Sequence, residues 1–434
     1  MENLVLITAL MLSLLALFLL SGMWIGPAIA AVGIVIYILF IGGSLDIIGM
    51  VQFNVLNSFI WTAMPLFILM GHIVFRCGLG DKLYTGAVPL VGILPGGLLH
   101  TNILSCAIFA ASSGSSLATA ATMGPIAIPE LKKRNYDKRM IFGSIAAGGT
   151  LGIMIPPSIP LIVYGAWVGE SVGKLFIAGI FPGIMFAGLF MAYIALNAVL
   201  SPGKTPGRER INPKAMLFGL KDILPVGILI FFVLGTIYLG VATPTEAAAL
   251  GTFGAIIIAA IYRRLHWIAF KESIVETVTV NGMMVLIIVG TQILSMTLSD
   301  LRIPARIAEF VASAGIHRGL VFVSIVFMYL VLGCFIDALS MTLLTLPVTY
   351  PLMMSLGFDS VWFGVIVTLM CEIALITPPV GMILFIIQGV SGENLSEVVY
   401  GTLPFIVLLL VGAGLLYAFP EIAIWLPQQM FTAF

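Results

Sequence analysis

Residues 109–135 read FAASSGSSLATAATMGPIAIPELKKRN, and residues 331–357 read VLGCFIDALSMTLLTLPVTYPLMMSLG. Each is followed by a proline pair inside an apolar run, GGTLGIMIPPSIPLIVYG at 148–165 and CEIALITPPVGMILFIIQG at 371–389. A step of 222 residues carries Pro125 to Pro347, Pro129 to Pro351, Pro156 to Pro378, Pro157 to Pro379, Gly179 to Gly401 and Pro182 to Pro404. Proline and glycine decide where a helix stops or bends, so a shared register of them implies two copies of one backbone shape.

The 434 residues are 61% hydrophobic and 9% charged, with a mean hydropathy of +1.18. That leaves too little polar surface to coat a soluble globule and places the chain in a bilayer. The apolar runs lack period-2 alternation and approach the ~20 residues that cross ~30 Å of hydrocarbon, so they read as helices. Ten crossings are expected, at 4–20, 24–41, 53–75, 140–166, 176–200, 223–240, 246–262, 277–298, 362–388 and 403–425. Between the third and fourth of each half lie 94–131 and 319–354, which read as re-entrant hairpins with small-residue tips. Segments 46–52 and 265–273 are candidates for lying along the membrane interface.

Lys and Arg orient the chain, because loops on the cytoplasmic side carry them in excess. With Lys132, Lys133 and Arg134 inside, alternation also puts Arg76, Lys82, Lys138, Arg139, Lys204, Arg208, Arg210, Lys214, Lys221, Arg263, Arg264 and Lys271 inside. Lys174, Arg302, Arg306 and Arg318, four of the 19, remain outside. The loop KKRNYDKR maps by the 222-residue step onto MSLGFDSV, which carries no positive charge. An odd number of crossings per half inverts the second copy, in keeping with that difference. The expected organisation is an all-α polytopic membrane protein with inverted-topology repeats, each of five spans, one discontinuous, plus a re-entrant hairpin. The first repeat is 1–202 (scaffold 1–93, transport part 94–175), 203–221 is a cytoplasmic linker, and the second repeat is 222–434 (transport part 319–397). Both termini fall on the outer side, and Met-Glu-Asn at the start, without a basic n-region, predicts no cleaved signal peptide.

Consecutive prolines in mid-span remove two backbone donors and free carbonyls one turn earlier. A simple kink is the bland reading of one such motif; its duplication favours helices broken to present carbonyls to cations and N–H groups to anions. Ser112, Ser113, Gly114, Ser115 and Ser116 at the first tip offer hydroxyls and close backbone approach, with Thr119 and Thr122 following. Such uncharged oxygens suit a hard monovalent cation, although small residues also serve plain helix packing. Asp337 stands opposite Ser115 in the second copy, and a carboxylate near mid-bilayer costs at least ~2.5 kcal/mol unless paired or hydrated. Glu372 draws the same attention.

No Lys or Arg follows Arg318, and none occurs in 83–131 or 141–173. An anion between the repeats would therefore rely on helix N-termini, hydroxyls and bound cations. Zero formal net charge provides no basic face for nucleic acid. Cys77, Cys106, Cys334 and Cys371 form no CxxC pair and read as small packing residues. Gly169–Gly173 matches GxSxG with no strand before it, the four histidines have no metal-ligand spacing, and no enzyme is expected.

In SGSSLATAATMGPIAIPEL, GGTLGIMIPPSIPLIVYG, FIDALSMTLLTLPVTYPL and EIALITPPVGMILFII the chain resembles the large membrane subunit of the tripartite ATP-independent periplasmic (TRAP) transporters, elevator-type carriers of the ion-transporter superfamily. The resemblance implies sodium-coupled uptake of a small organic anion such as a dicarboxylate, a sialic or other sugar acid, or a sulfonate. It also implies a bacterial or archaeal inner membrane, a small four-helix membrane subunit and a periplasmic substrate-binding protein. Carried over by position, a first sodium site would use Ser112, Ser113, Gly114, Ser115, Gly152, Ile155 and Pro157, and a second Asp337, Ala374, Thr377 and Val380. The substrate would lie near Asp337, Ser340, Ser158 and Ser116. Ala374 stands where the family usually has glycine. A stand-alone sodium-coupled dicarboxylate carrier of the same superfamily is the alternative. Cysteine labelling tests the orientation: Asn135→Cys should react only from the cytoplasm and Phe358→Cys only from outside.

Overall fold

Proline register and helix capping reproduce one backbone twice. The computed structural model describes residues 2–201 and 212–431; Lys204, Arg208 and Arg210 of the expected linker lie outside the described residues. The first copy runs α1 (Glu2–Leu20), α2 (Ile25–Phe40), α3 (Asp46–Leu56), a 3-10 turn (Phe59–Thr62), α4 (Ala63–Arg76), α5 (Gly80–Val91), α6 (Leu98–Ser113), α7 (Ser116–Lys133), α8 (Lys138–Met154), α9 (Ile159–Val168) and α10 (Val172–Leu200). The second runs α11 (Pro213–Tyr238), α12 (Pro244–Ile261), α13 (Trp267–Asp300), α14 (Ile303–Ser313), α15 (Arg318–Gly333), α16 (Ala338–Ser355), α17 (Ser360–Ile376), α18 (Met382–Ser391), α19 (Leu395–Ala418) and α20 (Glu421–Phe431). Among the described residues every regular element is helical.

The 222-residue step maps both ends of α7 onto α16 and both ends of α8 onto α17. The same chemistry starts α8 and α17: Asp137 accepts from the Met140 N–H at 3.1 Å, and Asp359 from the Trp362 N–H at 2.9 Å. The same chemistry ends them. A residue before proline is pushed out of the helical region, and Ile155 and Thr377 are extended, with ψ of 122° and 123°. In the first copy Ser158 then caps α9 through the Leu161 N–H. In the second, Gly381 takes the cap position without a side-chain bond.

The arms leading into the hairpins differ. The expected crossing at 53–75 is divided: residues 53–56 finish α3, the chain turns at Asn57–Ser58, and α4 follows the 3-10 turn. Its counterpart α13 is one 34-residue helix, so the segment expected along the interface at 265–273 is largely its first turns. The expected final crossing at 403–425 stops at Ala418, because Pro420 cannot continue α19, and α20 starts afresh. Lys214 and Lys221, placed in the linker by sequence, lie within α11. Eight helical stretches among the described residues are at least 18 residues long and apolar enough to cross a membrane. One of them is the hairpin arm Ala338–Ser355, and another, Lys138–Val168, runs through the first break. The 16-residue α2 is shorter than that length.

The two copies clasp each other crosswise, α2 on α13 and α4 on α12, through small residues that let backbones approach. A Cβ on Gly290 would strike the Gly26 carbonyl, and the Thr252 hydroxyl donates to the Leu66 carbonyl at 2.7 Å. Likewise α8 meets α19 where Gly143 faces the Gly401 carbonyl and Gly401 faces that of Arg139. At that end Lys132 and Lys138 reach Glu393 at 3.0 and 2.9 Å, and Arg139 reaches Glu397 at 2.9 Å. Hydrogen bonds from Lys138 and then Lys132 hold the Glu393 carboxyl below its ordinary range. Overpacking this contact costs about 1–3 kcal/mol. Gly401→Leu should therefore lower the melting temperature of the detergent-solubilised protein, whereas Gly414→Ala, with open space around it, should leave it unchanged.

Candidate functional site

Each hairpin tip lies against the main chain that the adjoining proline pair has freed. In the first copy α6 ends at Gly114, whose φ of 59° suits glycine. A Cβ there would sit 2.7 Å from the Pro157 carbonyl oxygen. Gly152, on the last turns of α8, abuts the peptide joining Ser115 and Ser116, where a Cβ would come within 2.7 Å. The Ser116 hydroxyl donates to the Thr150 carbonyl at 2.9 Å, and Ser115 caps α7 through the Ala118 N–H. The structure thus gathers Ser112–Ser115, Gly152 and Pro157, with Ile155 between them along the chain. Their oxygens are uncharged, a donor set that fits a small monovalent cation.

In the second copy Asp337 takes the place of Ser115 and caps α16 by accepting from the Ser340 N–H at 3.1 Å. Gly333 touches Ala374, where a Cβ would come within 2.6 Å of the alanine methyl. The Cys334 thiol is shared between the Leu330 and Pro378 carbonyls, each at 3.3 Å. Cys334, read from sequence as a packing residue, therefore covers an oxygen released by the break. The Thr377 hydroxyl donates to the Ile373 carbonyl at 2.6 Å. The breaks differ in exposure: Pro156, Pro157 and Ser158 are buried, whereas Pro379 and Val380 are exposed.

Both tips open into one cavity of about 610 Å³, whose lining includes Ser113–Ser116 and Asp337–Leu339. Of the residues assigned to substrate, Ser116 and Asp337 line it. Ser158 and Ser340 are completely buried and are not among the lining residues. Ser158 donates to the Ile153 carbonyl, and the Ser340 hydroxyl has no hydrogen-bond partner among the described residues. Glu372 is also fully buried, and neither carboxyl oxygen has a hydrogen-bond partner among the described residues.

The far wall, on α4 and α13, holds residues that sequence reasoning missed. His72 and Phe75 come from α4, Glu276 and Met283 from α13. The His72 Nδ1 lies 3.0 Å from the Glu276 carboxylate, out of line for a hydrogen bond. Arg76 pairs with Glu276 and, at 3.0 Å, with Glu272. The available signal was ionisable residues at helix ends in an apolar chain. Gly71 on the same wall presses on the tip, since a Cβ there would lie 2.7 Å from the Ser113 carbonyl oxygen. At Gly169–Gly173, the GxSxG match, Ser171 only caps α10 through the Lys174 N–H.

The profile of the family described as "Tripartite ATP-independent periplasmic transporter, DctM component" matches residues 12–422. The chain belongs to this family. As a DctM-type protein it is a multi-pass membrane protein. It is 34% identical over 399 residues to the C4-dicarboxylate TRAP transporter large permease protein of Pseudomonas aeruginosa, covering 92% of this chain and 93% of that one. It is 29% identical to the sialic acid TRAP transporter large permease protein of Vibrio cholerae (94% and 95% covered). The 2,3-diketo-L-gulonate TRAP transporter large permease protein of Escherichia coli is 30% identical (82% and 84% covered). Among solved structures, the YdaH transporter of Alcanivorax borkumensis shares the fold, with a TM-score of 0.53 at 13% identity over 86% of this chain and 88% of that one. For this DctM-family protein, the seat of the first tip on Gly71 yields a test. Gly71→Leu should lift the tip from α4 and speed thiol labelling of a Ser115→Cys reporter; an unchanged rate would show that the contact does not hold the tip.

Proposed function

We propose that this chain is the large permease subunit of a TRAP transporter that takes up a small organic anion by sodium-coupled, elevator-type secondary transport across the cytoplasmic membrane. The observation that carries this reading is the convergence of both hairpin tips and both broken helices on one cavity. The names of the relatives support an organic acid as substrate: a C4-dicarboxylate, a sialic acid and a diketo sugar acid. They also support the two partners expected of the family, a small membrane subunit and a periplasmic binding protein. Both termini are assigned to the periplasmic side.

The cavity itself favours cation coupling. Its ionisable lining residues are Asp337, Glu276 and His72, with no lysine or arginine. An anion entering alone would meet a repulsive field. Bound sodium would supply the missing positive charge, held by Ser112–Ser115, Gly152, Ile155 and Pro157 at one break and by Asp337, Ala374, Thr377 and Val380 at the other. Capping keeps Asp337 in place; Ser116 presents its backbone at the start of α7, where the helix dipole favours an anionic group.

The state is inward-facing. The scaffold lining comes from the half of α4 that ends at Arg76 and the half of α13 that begins at Trp267, the ends that the charge distribution assigns to the cytoplasm. Exchanging the conformations of the two inverted copies would carry the Gly71–Ser113 contact to Ile293–Phe335. An Ile293→Cys/Phe335→Cys pair should therefore cross-link only in the outward-facing state, and a Gly71→Cys/Ser113→Cys pair only in the inward one. Cross-linking of both pairs in one state would reject the elevator. Thr377→Ala should weaken the sodium dependence of uptake and Asp337→Ala should abolish uptake. Robust uptake into vesicles by this chain alone would instead support the stand-alone carrier.

A further inference from the structure

A second crevice, of about 550 Å³, lies toward the opposite ends of α13 and α16 from the cavity. It is bordered by Ser295 and Ser299 of α13, Arg302 in the turn before α14, Tyr350 and Ser355 of α16, and Trp167 at the end of α9. The repeat makes this gap informative. At the equivalent place in the first copy, α5 closes on α7: a Cβ on Gly80 would run into the Thr122 methyl, and Leu79, Leu83, Ile128 and Leu131 are buried. In the second copy α14 also packs on α16, with Ile303, Pro304 and Val311 buried, but a crevice remains beside that contact and Arg302 stands at its edge.

Among the described residues no ion pair or side-chain hydrogen bond engages Arg302. Asp300 and Glu309, the acids on the flanking helices, are not paired with it, and no carboxylate lines the crevice. The Ser295 and Ser299 hydroxyls make no hydrogen bond in the structure, whereas Tyr350 is 3.4 Å from the Ser360 hydroxyl and Ser355 donates to the Leu352 carbonyl. A guanidinium fork with two free hydroxyls beside it matches the planar, two-oxygen face of a carboxylate. The charge distribution puts Arg302 on the outer side, facing the solution from which the anion arrives.

We infer that this crevice is an outer holding site for a carboxylate-bearing small anion, with Arg302 as the ion-pairing residue and Ser295 and Ser299 as hydroxyl donors. The inference rests on the reading of the chain as an uptake permease. The site stands outside the tips and collects the anion before the transport part receives it, so its loss slows capture at low concentration and leaves the saturated rate intact.

The test uses a Ser299→Cys reporter in intact cells expressing the full transporter, with a sulfonate-bearing and a trimethylammonium-bearing methanethiosulfonate as probes. The ratio of anionic to cationic labelling rates should fall about threefold to tenfold on adding Arg302→Gln and recover with Arg302→Lys. Succinate should slow labelling when Arg302 is present and have no effect in the Arg302→Gln background. An unchanged ratio, absence of succinate protection, or labelling confined to inside-out vesicles overturns the inference. In uptake assays with the binding protein, Arg302→Gln should raise KM with kcat preserved; a lowered kcat overturns the holding role. Failure of the unsubstituted transporter to move any organic anion sinks the permease reading instead, and the labelling ratio still reports on the crevice.

Discussion

A carbonyl stripped of its helical donor within the hydrocarbon must find another partner, because an unpaired backbone group costs several kcal/mol there. The proline pairs at 156–157 and 378–379 create such carbonyls one turn earlier, where the Ser158 hydroxyl donates to the Ile153 carbonyl and the Thr377 N–H reaches that of Ala374 at 3.4 Å. Gly114 brings the first tip onto the Pro157 oxygen, and Cys334 brings the second onto that of Pro378. Small residues in the turns let both tips come this close. The broken helices α8 and α17 start and stop at the same relative positions because equivalent aspartate caps and proline pairs bound them.

Equal backbones do not make equal sites. The first tip is built of serines and glycine around a buried break, whereas the second has a carboxylate at its cap and a break with Pro379 and Val380 exposed. Substitution within a duplicated frame has thus separated a neutral oxygen-rich cradle from a charged one, while both open into the same cavity. The buried, unpartnered Glu372 occupies the position of Thr150, whose hydroxyl simply returns to the Ala147 carbonyl.

What was legible in the chain is what proline, glycine and capping side chains dictate locally. The breaks, the tips and the starts of α8 and α17 follow from residues within a few positions of one another. The turn at Asn57–Ser58 was not legible, because neither proline nor glycine marks it and its partner arm continues straight through the equivalent point. The short helices α5 and α14 were hidden by being below spanning length. The cavity wall at His72 and Glu276, with Arg76 paired to Glu276 beside it, depends on partners about 200 residues apart, and the thiol of Cys334 meets the Pro378 carbonyl only because the tip lies against the break. Such features are properties of the packed whole.

The unbroken helix α13 sets a length problem for the membrane. Its 34 residues extend about 51 Å at 1.5 Å per residue, against ~30 Å of hydrocarbon. It must lean steeply or leave several turns among the lipid headgroups, where Trp267, Lys271 and Glu272 are exposed. Bilayer thickness therefore sets how far this long helix leans or protrudes, and a thinner membrane tilts it further.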